Sequence, residues 1–205
     1  MPLRTKLTEK LGISHPILLA PMGTASGGAL TKGVTEAGGL GIIGIGYGNP
    51  ERIDQEFRAA GNARVGCGFI TWSLARQPHL LARALDHKPA AVMLSFGDAR
   101  PFAAAIKDAG AALISQIQTV AQAVEALDIG ADIVVAQGTE AGGHGATRST
   151  LALVPAVVDA VRQRNGEVLV VAAGGIADGR GLAAALMLGA HGALLGTRFS
   201  PQTRR

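Results

Sequence analysis

Eight short apolar runs, most of them closed by glycine or another turn residue, recur along this chain of 205 residues. They are Ile17–Met22, Leu40–Gly46, Val65–Thr71, Ala91–Gly97, Ala112–Gln118, Asp132–Gly138, Val168–Gly175 and Gly192–Phe199. Several are continuous rather than alternating, as in Ile133-Val134-Val135 and Val168-Leu169-Val170-Val171. A strand apolar on both faces must be covered on both, which is the situation of a parallel sheet layered with helices. The stretches between the runs supply such helices. Thr119–Gly130 sets Val120, Ala123, Val124 and Leu127 on one face and stops at Gly130. Leu153–Gly166, Gly179–Gly189 and the shorter Ala103–Gly110 behave likewise, and Asp178 stands where an N-cap is useful. Strand, glycine turn, helix, glycine stop is the repeat of βαβ units. Eight of them fit a (β/α)8 barrel, a single domain over 1–205, better than an open doubly wound sheet. Such barrels usually take about 250 residues, and only Ser200–Arg205 follow the eighth run. The expected barrel therefore lacks the helix after strand eight.

Composition narrows the function classes. Hydrophobic residues make up 48% and charged ones 17%, which argues for a packed core and against disorder. Aromatics reach only 3%, so that core is built from Ala, Val, Leu and Ile. The net charge of +4 is dispersed and barely interleaved with aromatics, a pattern that favours anionic small molecules over nucleic acid. Cys67 is the only cysteine, which excludes a disulfide framework and a thiolate metal cluster. His15, His79, His87 and His191 lie apart without the spacing of a metal motif, so no metal is expected. Residues 1–10 are polar and charged, unlike a signal peptide, and no run approaches the ~20 apolar residues of a membrane span. A soluble, cytoplasmic protein is expected. Neither a GxGxxG after the first strand nor a serine nucleophile elbow is present.

The candidate chemistry clusters at the ends of the runs. Val168–Arg180 (VLVVAAGGIADGR) is a strand entering a Gly174-Gly175 turn and then a helix, and Gly192–Phe199 (GALLGTRF) ends in Gly196-Thr197. A phosphate needs backbone N–H groups unobstructed by Cβ atoms, and in barrels the loops after strands seven and eight commonly provide them. Val134–Thr147 (VVAQGTEAGGHGAT) carries Gln137, Glu140, three glycines and His144 within eight residues. Its glycines let backbone lie against a planar ligand, Gln137 offers donors and an acceptor, and His144 is a candidate general base. Pro21 and Met22, at the tip of strand one, suit packing against a ring, and Gln116 in LISQIQ points a polar group toward the barrel mouth. Cys67, in a buried strand, reads as packing, while Tyr47 and Trp72 stand just beyond strands two and three, as pocket wall or as rim.

Taken together, APM at 20–22, VMLSFG at 92–97, AQGTEAGGHGA at 136–146, AAGGIADG at 172–179 and LLGTRF at 194–199 resemble the nitronate monooxygenase family. That family, formerly called 2-nitropropane dioxygenases, has close relatives in the enoyl-reductase II flavoproteins. The resemblance implies FMN on a barrel without metal. It implies that Gln137 and Gly142 meet the flavin, that Pro21, Met22 and Gly23 lie along its ring system, and that Gly174, Gly175, Leu194, Leu195, Gly196 and Thr197 surround its phosphate. His144 matches the family's base for neutral nitroalkanes, and Gln116 joins the cofactor-binding set. The implied reaction takes an alkyl nitronate or nitroalkane and dioxygen to a carbonyl compound and nitrite. Two alternatives stand beside it: an NAD(P)H-dependent reductase of quinone or enoyl-thioester type, and a non-catalytic flavin-binding remnant. The family's strand three generally carries an Asn that contacts FMN; here Gly68 of Gly66-Cys67-Gly68-Phe69 holds that position. Relatives also run beyond strand eight, so the chain reads as a fragment, a truncated product, or a homo-oligomer that covers the gap.

Overall fold

The computed structural model describes residues 3–145, 147–164 and 166–200. In chain order the elements are α1 (Lys6–Leu11), β1 (Ile17–Leu19), α2 (Gly28–Glu36), β2 (Ile42–Gly46), α3 (Pro50–Ala60), β3 (Gly66–Ile70), α4 (Thr71–Leu74), α5 (His79–Leu85), β4 (Ala91–Ser95), α6 (Arg100–Asp108), β5 (Ala112–Ile117), α7 (Val120–Asp128), β6 (Ile133–Gln137), α8 (Thr150–Arg164), β7 (Leu169–Ala173), α9 (Gly179–Met187) and β8 (Gly192–Leu195), followed by a 3-10 turn at Thr197–Phe199. Every strand lies within one of the eight apolar runs. All pairings are parallel, in the order β1-β8-β7-β6-β5-β4-β3-β2, and a single bridge between Leu18 and Leu40 joins the two edges. The sheet is thus a nearly closed barrel and not a doubly wound layer.

The two-faced apolar strands explain the two cores. Inward positions such as Leu18, Ile42, Met93, Ile114, Val135 and Val171 fill the barrel, and Leu7 and Leu11 of α1 join the same cluster. Outward positions such as Cys67, Val92, Leu113, Val134 and Val170 meet the helices in the other. Burial pushes the Cys67 thiol up to about 12, which keeps it protonated and agrees with a packing role.

Local chemistry sets the helix starts. Thr5 forms a capping box with Thr8, Asn49 caps α3 ahead of Pro50, and Thr119 caps α7. Asp178 accepts from Arg180 N and Gly181 N at the start of α9, as its position suggested. That helix buries only Ala185 and leaves Met187 exposed. Helix α2 is capped from outside itself: Gly28 N donates to the Glu56 carboxylate of α3 at 2.6 Å. The approach is so close that a Cβ on Gly28 would stand 2.0 Å from the Glu56 carbonyl oxygen.

Candidate active site

Parallel strands put all their C-terminal ends at one mouth, and alternation decides which last side chains face the axis. On β4, β5 and β6 those are Ser95, Gln116 and Gln137, two residues beyond the inward Met93, Ile114 and Val135. They form a continuous polar arc. Ser95 Oγ donates to Gln116 Oε1 at 2.9 Å, and Gln116 Nε2 donates to Gln137 Oε1. Gln137, 5% exposed, donates from Nε2 to the Gly142 carbonyl at 2.9 Å. Gln118 gives a second donor to Gln137 Oε1 at 2.8 Å and also holds the His144 carbonyl at 2.7 Å. An amide has four hydrogen-bonding positions. Three of those on Gln137 are used within the arc, and one N–H remains.

The β6–α8 loop is folded by its own acid. Glu140 accepts from the backbone N and the hydroxyl of Thr150, each at 2.8 Å, and so caps the first turn of α8. The Thr150 backbone N–H is the main reason that the Glu140 carboxyl lies below its ordinary range. Thr150 also fills the space where two glycines would otherwise carry side chains. A Cβ on Gly138 would stand 2.1 Å from its hydroxyl, and one on Gly174 2.6 Å. The Gly174 turn therefore has a packing reason of its own, beside any ligand. At the loop's tip His144 is exposed, and its ring meets Phe96 at 4.5 Å between centroids and 52° between planes. No hydrogen bond to its ring nitrogens is formed among the described residues.

Across the mouth, the β1–α2 loop carries Pro21, Met22 and Gly23. Pro21 lies against Gly68, where a Cβ would meet its ring at 2.5 Å. The proline thus occupies the space of any side chain at that strand-three position, which leaves no place for an Asn. Met22 N donates to buried Ser26 Oγ at 2.6 Å, and Arg52 of α3 donates to the Gly23 carbonyl at 2.7 Å. Met22 also touches the eighth-strand loop: its sulfur is 3.3 Å from where a Gly196 Cβ would be. The N–H groups of Gly174, Gly175, Gly196 and Thr197 find no acceptor among the described residues. Leu194 and Leu195 are 7% and 8% exposed, so what they offer a ligand is backbone.

The structure therefore brings Gln116, Gln137, Gly142 and His144 to one side of the mouth. Pro21, Met22 and Gly23 stand on another, with the loops of Gly174-Gly175 and Gly196-Thr197 between the two along the strand order. Gln118 and Arg52 escaped sequence reading. Alternation places Gln118 on the same face as Gln116, a usable signal; nothing local marks Arg52. A cavity of about 360 Å3 lies beside this mouth in the outer layer, between the β4–α6 loop and α7, with Arg100, Gln118, Gln122 and Glu125 in its walls. Among the described residues no group of three or more His, Cys, Asp or Glu is placed to hold a metal ion.

The residues present fit a phosphate-bearing flavin. Its ring presents N–H and carbonyl groups along one edge, matched by an amide arc, and its phosphate needs free backbone N–H groups, matched by the two glycine loops.

Comparison with known proteins agrees with that chemistry. The family model described as nitronate monooxygenase matches residues 4–65 and 71–200. A Rhodococcus jostii protein named (3aS,4S,5R,7aS)-5-hydroxy-7a-methyl-1-oxo-octahydro-1H-indene-4-carboxyl-CoA dehydrogenase is 36% identical, over 96% of this chain and 55% of its own length. A nitronate monooxygenase from Paraburkholderia phytofirmans is 33% identical, over 94% of this chain and 65% of its own. Among solved structures, FabK from Thermotoga maritima superposes with a TM-score of 0.87 at 35% identity, over 96% of this chain and 62% of that one. The chain thus spans a little over half to about two thirds of the length of these relatives. With a matching family model over nearly all of its length and the family's motifs gathered at one barrel mouth, the chain belongs to the nitronate monooxygenase family.

Proposed function

We propose that this barrel binds FMN and oxidises alkyl nitronates with dioxygen to a carbonyl compound and nitrite, in the cytoplasm. One observation carries the reading: the amide arc of Gln116, Gln118 and Gln137 shares a mouth with two loops in which the N–H groups of Gly174, Gly175, Gly196 and Thr197 find no acceptor among the described residues. Bound FMN would supply the redox chemistry and the reaction with dioxygen. The chain's own residues would do the rest. Gln137 and Gln116 orient the ring edge, Gly142 and the Pro21–Gly23 segment lie along it, and Gly174, Gly175 and the Leu194–Thr197 backbone hold the phosphate. An imidazole nitrogen of His144 takes the α-proton from a neutral nitroalkane; a preformed nitronate has already lost it. No helix among the described residues is long and apolar enough to cross a membrane.

A second reading, an NAD(P)H-dependent reductase of quinone or enoyl-thioester type, is supported by the similarity to the relative named an octahydro-1H-indene-4-carboxyl-CoA dehydrogenase. Anaerobic mixing separates the two. Bleaching of bound flavin by an alkyl nitronate supports the monooxygenase; prompt bleaching by NADH with none by nitronate overturns it. A protein that stays colourless with added FMN would support a non-catalytic remnant. His144→Ala is expected to lose activity on neutral nitroalkane by roughly 100-fold or more while keeping most activity on nitronate. Equal loss on both would remove the base role.

A further inference from the structure

The chain contains one tryptophan and one tyrosine, and neither is in the core. Both stand on the rim of the same mouth, Tyr47 directly after β2 and Trp72 just after β3, 63% and 39% exposed. Their rings meet at 5.7 Å and 54°, so they form a wedge with an open tyrosine face. Over the indole lies Arg76, its guanidinium carbon 5.2 Å from the ring centroid. Arg76 has no carboxylate partner among the described residues, and a guanidinium lying over a ring keeps N–H donors free for an anion.

The wedge is held from beneath. The Tyr47 carbonyl accepts from Ser73 Oγ at 2.8 Å and from Gln77 Nε2 at 3.1 Å. Gly48 sits so close to Leu80 of α5 that a Cβ would stand 2.5 Å from that side chain. Two exposed aromatics, Tyr47 after β2 and Trp72 in α4, with a cation beside them that has no carboxylate partner among the described residues, match a flat heteroaromatic that carries negative charge. A net charge of +4 favours the same ligand.

We propose that Tyr47, Trp72 and Arg76 bind the adenosine-diphosphate portion of a substrate, the purine against the aromatic wedge and a phosphate on the guanidinium. The group is common to coenzyme A thioesters and to nicotinamide dinucleotides. Held on the rim by this handle, either would keep its reactive end at the mouth that carries the amide arc. The site is separate from the flavin's, and a substrate that carries this group belongs to the reductase reading and not to the nitronate one.

Trp72 is the only tryptophan, so its fluorescence reports this site alone. FMN-saturated protein would be titrated with ADP, coenzyme A and NAD+, with pantetheine and nicotinamide mononucleotide as adenine-free controls. ADP is expected to change the emission saturably. Arg76→Ala should weaken it by about tenfold, the effect of one charge-assisted hydrogen bond. Tyr47→Ala should weaken it by at least about fivefold, through lost stacking. Tighter binding of coenzyme A than of NAD+ identifies a thioester as the source; the reverse identifies a dinucleotide. The proposal is overturned if none of the three adenine compounds gives a saturable response, or if the controls respond equally. It is also overturned if both variants bind ADP as the parent does, or if emission changes with protein concentration alone, which would make the wedge a contact between copies. Visible absorbance reads flavin separately: ADP binding without FMN binding removes only the flavin reading, and FMN binding without ADP response removes only this one.

Discussion

A buried amide is only as stable as its partners allow, and Gln137 has three within the arc: Gln116, Gln118 and the Gly142 carbonyl. Gln137→Leu would take one hydrogen bond from each of the three at a partly buried mouth. It is expected to cost about 1–3 kcal/mol, read as a lower urea midpoint, together with weaker FMN binding. An unchanged midpoint would mean that water replaces the arc at no cost. Glu140 makes a prediction of opposite character, because its partner is a helix start. The folded chain holds its carboxylate through Thr150, so its folded pKa lies below the ordinary 4.5. The unfolded chain therefore binds that proton more readily. The carboxylate's contribution is fully present above about pH 4.5 and is lost as the pH falls below it. Denaturation of Glu140→Gln beside the parent should show a stability gap near neutrality that closes in acid. A gap that persists in acid would assign the contact to the Thr150 hydroxyl geometry and not to charge.

At the scale of elements, the β1–α2 loop is shaped by a helix 29 residues away in sequence. Arg52 donates to the Gly23 carbonyl and lies against Glu56, whose carboxylate caps α2 through Gly28 N. One pair of side chains on α3 thus holds the β1–α2 loop at Gly23, just after Pro21 and Met22, and at Gly28, where α2 begins. Arg52→Gln is expected to weaken FMN binding by about tenfold, the effect of one charge-assisted hydrogen bond, with little change in the cooperative melt, since the loop loosens without exposing core. Equal FMN affinity in a titration would detach Arg52 from the site. Gly28→Ala, by contrast, drives a methyl into the α3 backbone and is expected to destabilise the fold by about 1–3 kcal/mol, read as a lower melting temperature. These contacts explain what was legible. All eight strands could be read because each is buried on both faces and leaves a continuous apolar trace. Ile53, Phe57 and Ala60 also form a helical stripe on α3, though the gap after strand two drew no helix from the sequence reading. The amides Gln116 and Gln137 were legible from their place at strand tips. Arg52 was not, because its role exists only once α2 and α3 have packed at a glycine, and no spacing along the chain records that.

For the whole molecule, the weakest join is the one that closes the ring. From β3 round to β7 each neighbouring pair has four or five residues in register, while β1 meets β8 over three. Between β1 and β2 there is one bridge, with Leu19 N donating to the Leu40 carbonyl at 2.9 Å and Leu40 N to that of Ile17 at 3.0 Å. Local opening follows the number of bonds and contacts that must break together, so the barrel should open first at this seam. The amides of Leu19 and Leu40 are expected to exchange with deuterium faster than those of Val134 and Val135 in β6. The proposed cofactor site straddles the neighbouring join, where Met22 of the β1 loop meets Gly196 beyond β8. A ligand that holds both loops must therefore stabilise β1 as well. With FMN at a hundredfold excess over its dissociation constant, protection should rise by up to about 2.7 kcal/mol, the limit set by linkage. That gain should concentrate in residues 17–26 and 192–199 and leave β4 and β5 little changed. Uniform slowing across all strands would mean that exchange passes through global unfolding and that the seam is no weaker than the rest. Slowing confined to β4–β6 would place the ligand on the amide arc alone and take the glycine loops out of the site.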